Sequence, residues 1–170
     1  MLRAMKEQLK TLALDKDKKF HSVLRKRVGK KATAILENKI KQLILLMPDL
    51  VESVYEQWSN QNASYKTKKL GGYMLSYLYQ PRDLISEEEW GLFGYLDDAY
   101  FVATVYVKVL DEFYFMDQKL FIASRKLSET IKTLMTTTKS VIPDEANKID
   151  LMVQGILDGQ DSNYFNVFQK

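Results

Sequence analysis

Residues 99–115 constrain the fold more than any other part of the chain, because their apolar and aromatic side chains fall on all sides of a helix. Valine, tyrosine and phenylalanine dominate the stretch, and these residue types also suit a buried strand. The stretch is long, however, it lacks turn residues, and no partner strands are recognisable elsewhere in the sequence. We therefore predict a central buried helix over about 96–115, with a strand at 99–115 as the alternative.

Apolar residues recur at helical spacing along most of the remaining chain. A first amphipathic helix is predicted from residues three or four positions apart, namely Leu2, Met5, Leu9 and Leu12. Gly29 is expected to bend the next segment and Pro48 to end it, with new helices beginning at Asp49 and Ser86. The patterns predict an all-α protein, a compact bundle of about seven helices around the buried helix. The length predicts a single domain over residues 1–170, in which residues 1–14 form a separable amphipathic helix.

The composition excludes several kinds of functional site. The chain has no cysteine, which excludes disulfides, zinc–thiolate sites, iron–sulfur clusters and cysteine nucleophiles. His21 is its single histidine, and we interpret it as a surface residue rather than a general base. Charged residues interrupt every apolar run well before the roughly 18–20 residues that a membrane span requires. We expect a cytoplasmic protein without a transmembrane span, with peripheral contact to a membrane left open.

A motif in the middle of the chain combines a tyrosine, a Pro-x-Asp-Leu-Ile turn and a Gly-x-Leu-Asp-Asp segment that leads into the apolar helix. Its residues are Tyr79, Pro81, Asp83, Leu84, Ile85, Gly94, Leu96, Asp97 and Asp98. With these residues, the region over about 66–110 resembles the YkvA-like family of bacterial domains of unknown function. The chain departs from the family pattern at Ser86, which stands where the family has a second proline. The resemblance implies a helical core over 66–110, and it marks the motif as a place to look for a site.

The three aspartates of this motif, Asp83, Asp97 and Asp98, have two interpretations. Several carboxylates without histidine or cysteine suit a hard divalent cation such as Mg²⁺, Mn²⁺ or Ca²⁺, and such a site could activate water for phosphoester hydrolysis. Alternatively, Asp83 accepts hydrogen bonds from backbone amides of the turn, and Asp97 or Asp98 caps the buried helix or pairs with Arg82. Adjacent residues on a helix point about 100° apart, which argues against Asp97 and Asp98 ligating one ion together. This geometry favours the structural interpretation.

The net charge of +3 hides an uneven distribution along the chain. Residues 1–50 contain 13 Lys and Arg against 5 Asp and Glu, whereas residues 51–170 contain 12 against 17. The candidates for binding an anionic partner are Lys16, Lys18, Lys19, Arg25, Lys26, Arg27, Lys30 and Lys31. On a helix, Arg27, Lys30 and Lys31 share one side, which Lys16, Lys18 and Lys19 extend. Such a strip would attract a nucleic acid or an anionic membrane surface. The alternative is a solvated face that packs near the acidic middle of the chain.

No nucleophile motif, phosphate-binding loop or histidine-based ligand set is recognisable in the sequence. We therefore predict a non-enzymatic helical interaction or regulatory protein of the YkvA-like type, which binds another protein or a second copy of itself. A cation-dependent phosphoester hydrolase that uses Asp83, Asp97 and Asp98 is the first alternative. Peripheral membrane or nucleic-acid binding through the basic segment is the second. No catalytic residue and no cofactor are predicted, with a hard divalent cation left open.

Overall fold

The computed structural model describes residues 2–16, 18–80, 84–114 and 118–160, with their side chains except at residues 113–124. The described residues form helices and turns and no strand. The elements are α1 (Leu2–Ala13), α2 (Lys19–Trp58), α3 (Tyr65–Leu78), α4 (Glu87–Trp90), a 3₁₀-helix (Gly91–Tyr95), α5 (Leu96–Tyr114), α6 (Gln118–Lys139) and α7 (Pro143–Leu157). The prediction of an all-α protein is confirmed for this part of the chain. It contains six helices of twelve residues or more and the single turn α4, which differs slightly from the predicted seven helices.

Helix α5 lies at the centre and packs against α2, α3, α6 and α7. Every residue from Leu96 to Val107 is buried, because neighbouring helices cover all of its sides. Residues 99–114 are helical, so the strand alternative is wrong for them, and residue 115 lies outside the described residues. A helix that is apolar all round is stable in water only when other elements surround it. The position of α5 therefore sets the arrangement of the other helices.

Gly29 divides α2 into two arms that fold back on one another. Its backbone angles, φ 79° and ψ 165°, are non-helical and belong to a region that glycine adopts without steric cost. His21 Nδ1 nevertheless lies 2.7 Å from Glu37 Oε2, although the two residues are 16 positions apart. A straight helix would separate them by about 24 Å. The first arm, residues 19–28, must therefore reverse against the second arm, residues 30–58.

The predicted end of the helix at Pro48 is wrong, and so is the predicted helix start at Asp49. The second arm continues through Pro48 to Trp58. Proline removes one hydrogen bond from a helix, but burial on both sides of it outweighs that loss. The buried residues on either side are Ile40, Leu43, Ile44, Met47, Leu50, Val51 and Val54. Asp49 is exposed and forms an ion pair with Lys6 of α1 instead of capping a helix.

Helix α1 packs against α2 and the 3₁₀-helix. Leu9 is buried in the core, and the other apolar residues of its stripe, Leu2, Met5 and Leu12, are partly buried against it. Gln8 Nε2 also donates a hydrogen bond of 2.9 Å to the hydroxyl of Tyr95. The apolar face of α1 is therefore covered by the protein's own core. Of the helices described, none is both long enough and apolar enough to cross a membrane.

Candidate functional site

The turn before α5 is built around a close approach of two backbone segments. Ser86 caps α4 by accepting a hydrogen bond of 3.3 Å from the amide of Glu89, as its position in the sequence predicts. Gly94 lies directly against the start of α4, and a Cβ atom there would come within 2.4 Å of Glu87 Cα. No side chain fits at that distance. Glycine at this position is therefore required by the packing of the turn.

Asp97 uses its carboxylate inside the fold. Its side chain is completely buried, and its Oδ2 accepts hydrogen bonds from the Tyr77 hydroxyl at 3.0 Å and from the Leu84 amide at 3.1 Å. The Tyr77 ring in turn packs on Phe101, with 4.4 Å between ring centroids. A buried carboxylate is costly unless hydrogen bonds satisfy it. These bonds tie α3, the turn and α5 together, which is a structural role. The predicted cap of the buried helix and the pairing with Arg82 stay predictions.

The remaining motif residues divide between the interior, the surface and the undescribed part of the chain. Ile85, Leu96 and Asp98 are buried, Leu84 is half-buried, and Tyr79 is exposed. Pro81 and Asp83 lie outside the described residues. Among the residues that the structure describes, no group of three or more His, Asp or Glu side chains is arranged to hold a metal ion. The cation site at Asp83, Asp97 and Asp98 stays a prediction.

Four basic residues surround the reversal of α2 at Gly29, and we call them the basic tip. They are Arg25, Lys26, Lys30 and Lys31. All four are exposed, and none forms an ion pair with an acidic residue in the described part of the chain. No Asp or Glu occurs in the sequence between Lys18 and Leu36. The tip therefore presents four positive charges that the neighbouring chain does not neutralise.

Arg27 belongs to a different surface from the one predicted for it. Its guanidinium lies 5.3 Å from the centroid of the Phe93 ring and 3.3 Å from a carboxylate oxygen of Glu145. The expectation that Arg27 shares a side with Lys30 and Lys31 is wrong, because Gly29 breaks the helical register between them. Arg27 instead attaches the first arm of α2 to the 3₁₀-helix and α7.

The other predicted basic residues lie at the far end of the first arm. Lys16, Lys18 and Lys19 are exposed, and within the described ranges they also form no ion pair. Lys18 has a left-handed backbone, with φ 52°, and it immediately precedes α2. The reversal at Gly29 thus separates the predicted basic segment into the basic tip and this second group.

Asp15 closes the open end of the two arms, which the sequence did not reveal. Its carboxylate accepts hydrogen bonds from the amides of Phe20 and His21, so it caps the first arm of α2. Lys41 of the second arm lies 3.8 Å from Asp15 and 2.8 Å from Glu37. Burial alone would raise the pKa of Glu37, but the bonds and charges of Lys41 and His21 outweigh burial and lower it from 4.5. This network fixes the angle between the arms.

A groove of about 340 Å³ between α5 and α6 was also missed by the sequence reasoning. Its floor is formed by Tyr100 and Val107, and its wall by α6. The Tyr100 hydroxyl donates a hydrogen bond of 3.0 Å to Asp150, which also pairs with Lys139 at 2.6 Å. Burial, followed by the charge and hydrogen bond of Asp150, raises the pKa of Tyr100. The polar groups at this end of the groove are therefore bound to each other.

The chain matches no protein-family model, no curated protein and no solved structure. The resemblance of residues 66–110 to the YkvA-like family therefore stays a prediction.

Proposed function

We propose that the protein is a non-enzymatic helical binding protein, and that its basic tip binds an anionic partner. The observation that carries the proposal is the set of four exposed bases around Gly29 that no described acidic residue neutralises. Another protein, which is the partner expected from the sequence, meets this condition when it presents an acidic surface. In this proposal, residues 66–110 form the YkvA-like core that holds the tip in place.

The placement of Lys30 and Lys31 supports this function because it does not favour stability. Lys30 and Lys31 begin the second arm of α2, where the helix dipole presents its positive end. Gly29 has no side chain with which to cap the first amides of that arm. Acidic or capping residues would stabilise this helix start, and the two lysines oppose it. Binding of an anion offsets that unfavourable placement.

The environment of Asp97 supports a binding role rather than a hydrolytic one. Its Oδ2 is bonded to Tyr77 and Leu84, and the residue is completely buried. A general base must be within reach of the substrate proton that it abstracts. The carboxylate that the hydrolase alternative would use is therefore already engaged in holding the turn.

Affinity for a generic polyanion tests the proposal. We would replace all four tip residues with glutamine (Arg25→Gln, Lys26→Gln, Lys30→Gln, Lys31→Gln) and elute the protein from immobilised heparin with a salt gradient. The matched control replaces four exposed lysines elsewhere with glutamine, at Lys66, Lys68, Lys108 and Lys148. Both variants lower the formal net charge from +3 to −1, since each loses four positive charges.

We expect the tip variant to elute at much lower salt than the control variant, because electrostatic binding depends on charges placed together rather than on net charge. Equal elution of the two variants would show that the tip is not the binding surface, and it would overturn the proposal.

A further inference from the structure

An exposed aliphatic side chain lies among the lysines of the second arm of α2. Ile35 is 67% exposed, and Lys31 and Lys39 lie four positions before and after it on the helix. Residues four apart share a face of a helix, so Lys31, Ile35 and Lys39 form one exposed stripe. The stripe begins at the basic tip, which already contains Lys31. Positive charge and an exposed apolar group therefore occupy one continuous surface.

This combination distinguishes between kinds of anionic partner. A nucleic-acid backbone attracts the lysines and arginines but offers nothing to an isolated isoleucine. An anionic bilayer offers phosphate and carboxylate headgroups to the bases, and the acyl boundary directly beneath them accepts an aliphatic side chain. Lysine side chains are long enough to keep their ammonium groups at headgroup level while a neighbouring side chain inserts.

We propose that the basic tip and the stripe of Lys31, Ile35 and Lys39 bind the surface of an anionic lipid bilayer. The inference rests on the proposed function, because it names the class of partner that the basic tip recognises. The bases supply attraction to the headgroups, and Ile35 enters the boundary between headgroups and acyl chains. The buried helices are not inserted, and the fold stays intact at the membrane surface.

Co-sedimentation with lipid vesicles tests the inference. The probes are vesicles of mixed phosphatidylserine and phosphatidylcholine, vesicles of phosphatidylcholine alone, and duplex DNA as a phosphate polymer without an apolar layer. The variants are Ile35→Ser, the four-residue tip variant, and Leu151→Ser as the matched control. Leu151 is a suitable control because it is 71% exposed on α7 and belongs neither to the basic tip nor to the stripe.

We expect the wild-type protein and Leu151→Ser to bind phosphatidylserine vesicles equally and neither to bind phosphatidylcholine vesicles. Ile35→Ser should lose about fivefold or more in vesicle partitioning, because it removes the inserted aliphatic group, and its elution from heparin should stay unchanged. The tip variant should lose vesicle binding altogether.

Three outcomes would overturn the inference. Wild-type protein that is retained on heparin but does not bind phosphatidylserine vesicles would exclude the bilayer and leave the proposed function standing. Equal vesicle binding by the Ile35→Ser and Leu151→Ser variants would show that the stripe has no role in binding. Tighter binding to duplex DNA than to the vesicles would identify a nucleic acid as the partner.

Discussion

The turn around Asp97 and the basic tip of α2 are both rich in charge in the sequence, but the fold uses the charges in opposite ways. Asp97 is buried and bonded to Tyr77 and Leu84, and Asp98 beside it is buried as well. The four bases of the tip are exposed, and no described acidic residue pairs with them. The turn uses the Asp97 carboxylate to hold helices together, whereas the tip leaves its bases to solvent or a partner.

The difference shows that the role of a charged residue depends on what the backbone does beside it. Asp97 begins a helix that is buried on all sides, so its carboxylate must find donors within the protein. Lys30 and Lys31 follow a glycine that reverses the chain, so they lie at the outside of a bend. Substitutions in the turn should therefore change stability, while substitutions in the tip should change binding and leave stability almost unaltered.

The largest effect is expected at Gly94. In Gly94→Ala the new Cβ would meet the backbone of Glu87 and the carbonyl oxygen of Ser86 within 2.4–2.7 Å. Backbone cannot move aside as a flexible side chain can, so we expect a loss of about 3 kcal/mol in the free energy of unfolding. Urea denaturation followed by circular dichroism measures this change in the free energy of unfolding.

Gly72→Ala is the matched control, because no atom lies within 4 Å of the Cβ position at Gly72 in α3. Alanine is the better helix former there, and we expect a gain of up to about 1 kcal/mol. If both glycine substitutions shift the urea midpoint in the same direction and by similar amounts, the close packing of the turn is not what requires Gly94.

The next effect is expected from removal of the buried carboxylate. Asp97→Asn weakens the acceptor of two hydrogen bonds, from the Tyr77 hydroxyl and the Leu84 amide. Charge-assisted hydrogen bonds in the interior are among the stronger ones, so we expect a loss of about 2 kcal/mol. Glu88→Gln, an exposed charge in the same acidic region, should change the free energy of unfolding by less than about 0.5 kcal/mol.

The same measurement separates the two interpretations of the aspartates. If Asp97 stabilises the turn by hydrogen bonds alone, the unfolding midpoint of the wild-type protein is the same with Mg²⁺, with Mn²⁺ and with EDTA. A protein that binds a cation in its folded state is stabilised by it. A midpoint that rises with the cation and loses that rise in Asp97→Asn would establish the metal site and contradict the structural interpretation.

Residue spacing and residue type were sufficient to predict those features of the fold that depend on residues close together in the sequence. The stripe of α1, the cap at Ser86 and the apolar surroundings of residues 96–107 follow from residue spacing and type, and the structure has all three. The end predicted at Pro48 failed because burial of the residues around it outweighs the lost hydrogen bond. The low helix propensity of one residue is outweighed by the packing of buried side chains over several helical turns.

The arrangement of the charged residues could not be derived from spacing, because it depends on contacts between distant positions. Gly29 was recognised as a bend, but the sequence contains no signal for its angle. Contacts between distant positions, such as the one between His21 and Glu37, 16 residues apart, show that the arms reverse. The reversal moves Arg27 onto Phe93 and leaves Lys30 at the tip. Asp97 could be recognised as a candidate, but its inward orientation depends on where Tyr77 lies.

A smaller, pH-dependent effect is expected at the network that joins the two arms. The pKa of Glu37 is lowered from 4.5, so the folded protein releases this proton more readily than the unfolded chain does. Its contribution to stability is therefore complete above about pH 4.5 and is lost as the pH falls through the lowered pKa. We expect Glu37→Gln to cost about 1 kcal/mol at pH 6 and progressively less in acid.

Urea denaturation of the wild-type protein and Glu37→Gln across this pH range measures the difference. Lys41→Met on both backgrounds is the control, because Lys41 is the partner 2.8 Å from Glu37. The Lys41→Met substitution should cost clearly less in Glu37→Gln than in the wild-type protein. A constant difference between wild-type protein and Glu37→Gln at all pH values would mean that this carboxylate is not held in its charged form by the network.

The smallest effect tests whether the basic tip is placed for stability or for binding. Lys30→Gln with Lys31→Gln removes positive charge from the N-terminal end of the second arm, so the free energy of unfolding should rise by about 0.5 kcal/mol at low salt. Arg25→Gln with Lys26→Gln removes positive charge from the C-terminal end of the first arm, so the free energy of unfolding should fall by a similar amount. Both pairs should weaken retention on heparin.

If the basic residues served stability, the two pairs would change the free energy of unfolding in the same direction. If the two pairs shift the free energy of unfolding in opposite directions while both weaken binding, the four residues have no common effect on stability. Their common role is then to bind the partner.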